Sequence, residues 1–335
     1  MFFLVLIAAT LAAGVAYQFF GVHRDLRRYP PPGRIVDTGC VRLHVHEQGA
    51  GAPAAILESG IAASSLSWAL VQPKIAEFTQ VASYDRAGLG WSAPCKQTRT
   101  VPHLVSELDA VLSRAAIPPP YILVGHSFGA LVVRAYAALH SEEVAALVLV
   151  DPVSLRFWAD CHPRELRRLQ LGAKLSRRGA WLARFGVVRL ALDVLASGGR
   201  RVPKLVARAT SGQGATVLQN LAGEIRKLPS SVWPFVRAHW SRPACFRAMA
   251  AYLESLPESA KAALRMPVPG NIPLIILSAS SATPGELQER DAWVRESSHG
   301  EHIRIENSGH WLQLEYPDLV VAAVRRIFDA ITSPR

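Results

Sequence analysis

The sequence predicts an α/β fold, a mostly parallel sheet with helices on both faces and a helical cap inserted late in it. Three observations lead there. Short apolar runs alternate with helix-length stretches from about residue 35 to residue 150. One such run passes through Gly125-His126-Ser127-Phe128-Gly129 into a helix. The alternation stops near Pro152, gives way to an arginine-rich helical stretch, and resumes at Pro273.

Taken in order, Ile35–Gly39 and Val41–His46 read as a strand pair around Gly39-Cys40. Val41, Leu43 and Val45 alternate there with Arg42, His44 and His46. Ala54–Leu57 is a buried strand, Ser67–Glu77 a helix, and Val81–Tyr84 a strand ending in the turn Asp85-Arg86-Ala87-Gly88-Leu89-Gly90. Val101–Ala115 is a helix, Tyr121–Val124 a strand, Phe128–Leu139 a helix and Val144–Val150 a strand. After the insertion come strands at Pro273–Leu277 and His302–Ile305, then a closing helix at Pro317–Ala330. The expected organisation is a core of residues 34–153 and 269–335, with a cap of residues 154–268. A chain of 335 residues, half of them hydrophobic, can bury such a core and is not disordered.

The first residues form a separate segment, 1–28. No residue from Phe2 to Val22 carries a formal charge, and that length suffices for a helix to cross a bilayer. Arg24, Arg27 and Arg28 come next, and no Lys or Arg precedes the run, so the basic start of a signal peptide is missing. The arginines favour a cytoplasmic location for the chain beyond them. The expectation is a single-pass anchor with the remaining chain in the cytoplasm. The alternatives are a signal cleaved near Gly14-Val15-Ala16, with a secreted or periplasmic product, and a buried helix. Tyr29-Pro30-Pro31-Pro32-Gly33 then reads as a short stiff spacer.

Charge and cysteines narrow the partners. The net charge of +11 points to an anionic partner such as a membrane surface, and no recognition motif points to nucleic acid. Residues 154–268 hold 20 Lys or Arg against 6 Asp or Glu, a balance of +14 that leaves −3 for the rest. Leu182, Phe185, Val188 and Leu192 recur there at helical spacing among Arg177, Arg178, Arg184 and Arg189. This pattern fits a helix lying on an anionic bilayer, or a solvated face above an apolar one. Cys40, Cys95, Cys161 and Cys245 are far apart and form no C-x-x-C pair, which argues against a zinc or disulfide framework and for unpaired thiols.

The chemistry centres on Ser127. A serine on a sharp strand-to-helix turn projects its hydroxyl from the sheet edge, and the flanking glycines let the backbone pack closely. A hydroxyl needs a base to become a nucleophile at neutral pH. Of eleven histidines, His310 in Asn307-Ser308-Gly309-His310-Trp311 is the candidate, because its loop lies after the last strand and before the last helix. An oxyanion site needs two donors. The N–H of Phe128 is one. The loop Glu58-Ser59-Gly60-Ile61-Ala62 supplies the other, with Ile61 the first choice and Ala62 the second.

Four segments then carry a resemblance to the α/β-hydrolase superfamily, in its lipase and esterase branch: Glu58–Ala62, Tyr84–Ser92, Gly125–Gly129 and Ser308–His310. They occur in the family's order and span most of the chain beyond the anchor. The resemblance implies an eight-stranded-type sheet, a cap after the sixth strand and a Ser-acid-His triad. The oxyanion loop departs from the family's common His-Gly form by having Ser59-Gly60. The acid is also unusual. The family often places an Asp just past the first strand after the cap, and Leu277–Thr283 holds no carboxylate there. Asp151, at the end of the strand before the cap, occupies a second location known in the superfamily. Glu286, Glu289 and Asp291 are the alternatives. Asp85-Arg86 reads as a brace for neighbouring loops, with binding of a substrate carboxylate the alternative.

The expected function is hydrolysis of a small-molecule ester, apolar or lipid in character, through an acyl-enzyme, with no metal or organic cofactor required. The Ser at the elbow argues against the epoxide and haloalkane chemistry that this superfamily performs with an Asp. Amide, thioester and carbon–carbon bond hydrolysis remain open, as does a membrane-anchored binding protein that kept the scaffold without activity.

Overall fold

The computed structural model describes residues 1–196 and 227–333. Eight strands form one sheet: β1 Arg34–Asp37, β2 Arg42–Gln48, β3 Ala54–Glu58, β4 Val81–Tyr84, β5 Tyr121–His126, β6 Val144–Val150, β7 Leu274–Ala279 and β8 Gly300–Ile305. Their spatial order is β1-β2-β4-β3-β5-β6-β7-β8. β1 and β2 are antiparallel to their neighbours, and from β4 to β8 every pairing is parallel. Parallel strands need crossovers, which is why the apolar runs alternate with helices in the sequence.

The central strands are buried on both faces, as their unbroken apolar runs require. On one face α3 (Val101–Arg114) and α4 (Phe128–Leu139) cover Ile56, Leu123, Leu147 and Ile276. On the other, a closing helix (Pro317–Thr332) covers Leu57, Val124, Val148 and Leu277. Leu131, Val132 and Val133 of α4 are all buried, each worth roughly 1.5–3 kcal/mol. α4 is therefore a rigid base for the turn that precedes it.

One expected element is broken. Instead of a helix over Ser67–Glu77 there is a 3-10 turn at Ser65–Trp68 and a single α-helical turn, α2, at Gln72–Ile75. Pro73 explains the break. It fits the start of α2, but inside a continuous helix its ring would meet the carbonyl of Ala69.

The inserted region lies between β6 and β7. It contains α5 (Leu155–Ala159), α6 (Pro163–Arg184), α7 (Val187–Ala196), α8 (Trp233–Trp240) and α9 (Pro243–Leu264). The helical run expected through Leu182–Leu192 breaks at Gly186, whose φ of +74° turns the chain between α6 and α7. The stretch 197–226 of this inserted region, which holds part of the expected basic cap, lies outside the described residues.

The N-terminal helix α1 (Phe2–Arg28) is long and apolar enough to cross a membrane by length and composition. The Pro-rich stretch after it is strapped to the core. Trp91 Nε1 donates to the Tyr29 carbonyl at 3.0 Å, and His44 Nε2 bonds the Pro32 carbonyl. The four cysteines carry free thiols.

Candidate active site

Ser127 sits between β5 and α4 with φ +55° and ψ −117°. A left-handed φ on a residue with a Cβ costs about 1–3 kcal/mol, so the surroundings must enforce it. They do so from both sides. Ser127 N–H donates to Val150 O on β6 at 3.0 Å, and Ala130 N–H donates to Ser127 O at 3.1 Å. A side chain at Gly125 would strike Ala130, and one at Gly129 would strike the Glu58 and Ser59 carbonyls. The two glycines thus let β5, α4 and the loop after β3 converge on Ser127.

Asp151 also has a positive φ, +43°, at the end of the adjacent strand. Its Oδ1 accepts from Arg290 Nη1 at 2.8 Å and from Ala279 N–H at 3.1 Å. Its Oδ2 faces His310 Nδ1 at 2.6 Å. His310 Nε2 stands 2.8 Å from Ser127 Oγ. A carboxylate only accepts, so the proton between them belongs on Nδ1 and the Nε2 lone pair faces the serine. Burial opposes the charge on Asp151, but the His310 hydrogen bond, Arg290 and the Ala279 N–H outweigh it and lower its pKa.

The His310 loop is held at several points. Ser280, in the segment where the family often carries its acid, is laced to Ser308. Ser280 N–H donates to Ser308 Oγ, Ser280 Oγ donates to Ser308 O, and Ser308 N–H donates back to Ser280 Oγ, all at 2.7–3.0 Å. Gly309 N–H donates to Glu315 Oε2 at 2.6 Å. His126 Nε2 donates to the His310 carbonyl at 2.9 Å, and the His126 ring packs against His310 and Trp311. Burial, helped by the nearby His310, lowers the His126 pKa to about 3, so it is neutral at ordinary pH.

The loop Glu58–Ala62 is fixed by Arg86. This buried guanidinium donates to Glu58 Oε1 at 2.5 Å, to Ser59 O at 2.6 Å and to Gly60 O. It also lies over the Phe128 ring at 5.3 Å and the Tyr252 ring of α9 at 4.8 Å. In a trans peptide the C=O and the following N–H point in opposite directions, so holding Gly60 O turns the Ile61 N–H away from Arg86. Gly60 itself packs beside Ser127. Asp85 accepts from Ser65 N–H at 2.7 Å and Trp91 N–H at 3.0 Å and pairs with His44 at 2.8 Å. Asp85 and Arg86 are therefore the loop brace that the sequence suggested.

The other candidate acids are engaged elsewhere. Glu286 closes a capping box with Thr283 at the start of α10 (Pro284–Glu296). Glu289 accepts from Arg156 N–H at 3.1 Å. Asp291 pairs with His302 at 2.5 Å and Arg304 at 2.9 Å. Sequence reasoning missed Arg290, which also reaches Ser278 Oγ at 2.8 Å and the Pro152 carbonyl at 2.5 Å. A signal existed. Glu289, Arg290 and Trp293 share the buried face of α10, where charges need partners. Away from the serine, Asp109, His140 and Glu143 bring possible metal-ligand atoms within 4.8 Å of one another beyond the far end of α4. Glu143 there already accepts the Tyr136 hydroxyl at 2.5 Å.

A strained serine between a parallel strand and a helix, with a histidine from the loop after the last strand, defines a class. The chain belongs to the Alpha/beta hydrolase family, whose pattern matches residues 43–323. Among curated proteins it is 32% identical over 114 residues to the uncharacterized protein YqjL of Bacillus subtilis, a match covering 34% of this chain and 45% of that one. It is 33% identical over 136 residues to 2-hydroxymuconate semialdehyde hydrolase of a Pseudomonas species, covering 38% of this chain and 46% of that one. These matches span under half the length of each relative. Among solved structures, a thermophilic esterase from Thermogutta terrifontis superposes with a TM-score of 0.62 at 17% identity, covering 90% of this chain and 99% of that one. That likeness concerns the fold.

Proposed function

We propose that this protein is a serine hydrolase that cleaves an ester of apolar or lipid character through an acyl-enzyme. Ser127 is the nucleophile, His310 the base and then the acid, and Asp151 the orienting carboxylate. The observation that carries this reading is the hydrogen-bonded line from Ser127 Oγ to His310 at 2.8 Å and from His310 to Asp151 at 2.6 Å.

In this mechanism Ser127 Oγ attacks the ester carbonyl carbon as its proton passes to His310 Nε2. The oxyanion is met by the N–H groups of Phe128 and Ile61. Phe128 opens α4, so its N–H lacks an intrahelical partner and lies at the positive end of the helix dipole. His310 returns the proton to the departing alkoxide. Water, deprotonated by His310, then releases the acid and restores Ser127. No step asks for a metal. Helices α5, α6 and α9 of the inserted region act as the cap over this site, and contact of Tyr252 on α9 with the Phe128 ring at 5.8 Å supports that position. Residues 1–28 act as the membrane anchor, with the catalytic part on the cytoplasmic side.

A fluorophosphonate probe, which reports an activated serine, tests the proposal. Wild type should label and Ser127→Ala should not. A folded wild type that resists the probe refutes the hydrolase reading in favour of an inactive scaffold, and equal labelling of both removes Ser127 as the nucleophile and refutes the reading with it.

A further inference from the structure

The apolar helix α1 is not a free-standing rod. Gly14 lies against the backbone of Phe185, and Gly186 lies against Tyr17 and the Gly14 carbonyl. A side chain at either glycine would not fit. A clamp continues along the helix. The buried Arg189 of α7 donates to Gln18 Oε1 at 3.0 Å, to the Asp25 carboxylate and to Ser241 Oγ at 2.8 Å. Gln18 Nε2 donates to Ser241 O at 2.9 Å. Asp193 accepts from the Tyr17 hydroxyl at 2.7 Å and pairs with Arg237. From Gly14 to Asp25, α1 and the α6–α7 corner are one body.

Geometry then sets a depth. Phe2–Gly21 is twenty residues without a formal charge, which at 1.5 Å per residue is about 30 Å, the thickness of a bilayer's hydrocarbon core. Gly14 lies seven residues inside Gly21, so its contact with Phe185–Gly186 falls roughly 10 Å below the near boundary of that core. A tilt of about 20° changes this by less than a tenth. Interfacial helices bury their apolar faces about 5–10 Å, so the corner is at a depth such elements reach.

The corner's surface matches that environment. Trp181, Leu182, Val187 and Leu190 are 63%, 50%, 48% and 57% exposed. A soluble face would not leave four large apolar side chains open within ten residues. Trp181 stacks on Phe185 at 6.2 Å, and the Arg184 guanidinium lies over Trp181 at 6.0 Å. Arg184 is exposed, as are Arg177 and Arg178 nearby on α6 and Arg24, Arg27 and Arg28 at the end of α1. Such side chains reach headgroups while their stems stay in hydrocarbon.

We propose that the α6–α7 corner, Trp181–Leu190, is a second membrane element that enters the near leaflet beside α1, on an anionic bilayer. The inference rests on reading α1 as a membrane anchor. It adds that this corner of the insertion sits in the lipid rather than above it.

The test uses the full chain in vesicles of phosphatidylcholine and phosphatidylglycerol. A fraction of the phosphatidylcholine carries a diazirine on its acyl chain, which confines the reactive carbene to hydrocarbon. After photolysis, mass spectrometry maps the labelled peptides. Labelling of α1 together with the peptide containing Trp181–Leu190 is the expected result. Labelling of α1 alone overturns the proposal and leaves the anchor standing. Labelling of neither refutes the anchor, and the corner with it.

Discussion

Replacing Asp151 with Asn should inactivate the protein through the tautomer of His310, and the surroundings of Asp151 determine why. Arg290 Nη1 and Ala279 N–H both donate to Oδ1. In Asp151→Asn only the amide oxygen can accept those bonds, so the amide NH₂ is driven onto the side facing His310. An N–H donor there requires a bare Nδ1, which moves the ring proton to Nε2 and points it at Ser127. The base then has no lone pair for the serine proton. In a comparable Ser-His-Asp site this exchange lowers kcat by about 10⁴, or about 5.4 kcal/mol of transition-state stabilisation. A second change separates tautomer from structure. In Asp151→Asn/Arg290→Met one of the two donors is gone, the amide flips more readily, and about tenfold of the loss should return, worth about 1.4 kcal/mol. Turnover of p-nitrophenyl butyrate and the rate of fluorophosphonate labelling provide the assays, with circular dichroism to verify folding. Asp291→Asn, which touches His302 and Arg304, should stay within a few-fold of wild type. The reasoning fails if Asp151→Asn stays within tenfold of wild type, or if Asp291→Asn is the variant that collapses.

Two buried titratable groups near the site, Arg86 and His126, give further expectations. Arg86→Met should lower kcat by roughly 10- to 100-fold while leaving Ser127 present, because the Ser59 and Gly60 carbonyls lose their donor and one oxyanion N–H loses its aim. The same substitution leaves Glu58 buried without its cation, so thermal denaturation should register a loss of several kcal/mol. His126 is held neutral, with its pKa depressed from 6.5 to about 3. The unfolded chain therefore takes up a proton that the folded one refuses, and stability should fall as pH drops from about 6.5 toward 3. At pH 5 this amounts to about 2 kcal/mol, and urea titrations of His126→Gln should show a shallower loss over that range. An unchanged pH dependence in the variant would contradict the assignment.

What the sequence made legible was local. The turn at Ser127 could be read because strand, glycines and helix are contiguous there. His310 could be read because its loop lies between the last strand and the last helix. Asp151 came into view through the resemblance, which implies a second location for the acid at the end of the strand before the insertion, Leu277–Thr283 holding no carboxylate. The reason for that vacancy was not legible, because Ser280 acts on Ser308 across 28 residues of sequence. Arg290 was missed for a similar reason, being 139 positions from Asp151. Pro73 is visible in the sequence, and the helix expected over Ser67–Glu77 runs through it. The break at Gly186 lay inside a run whose helical spacing continues unbroken on paper. Contacts between α1 and the insertion join residues more than 160 apart, and no pattern within either segment announces the other.

The straps on Tyr29 and Pro32 bear on how such a molecule meets its substrate. A catalytic body on a slack tether sweeps a volume and samples solutes from every direction. Here the segment leaving α1 is pinned by Trp91 and by His44, whose partner Asp85 also holds the loops around the site. Helix and body therefore turn together. With α1 in a bilayer, the mouth of the site keeps a constant height and bearing relative to the lipid surface. For a substrate dissolved in that bilayer, encounter then becomes a planar search, governed by its surface density and not by its bulk concentration.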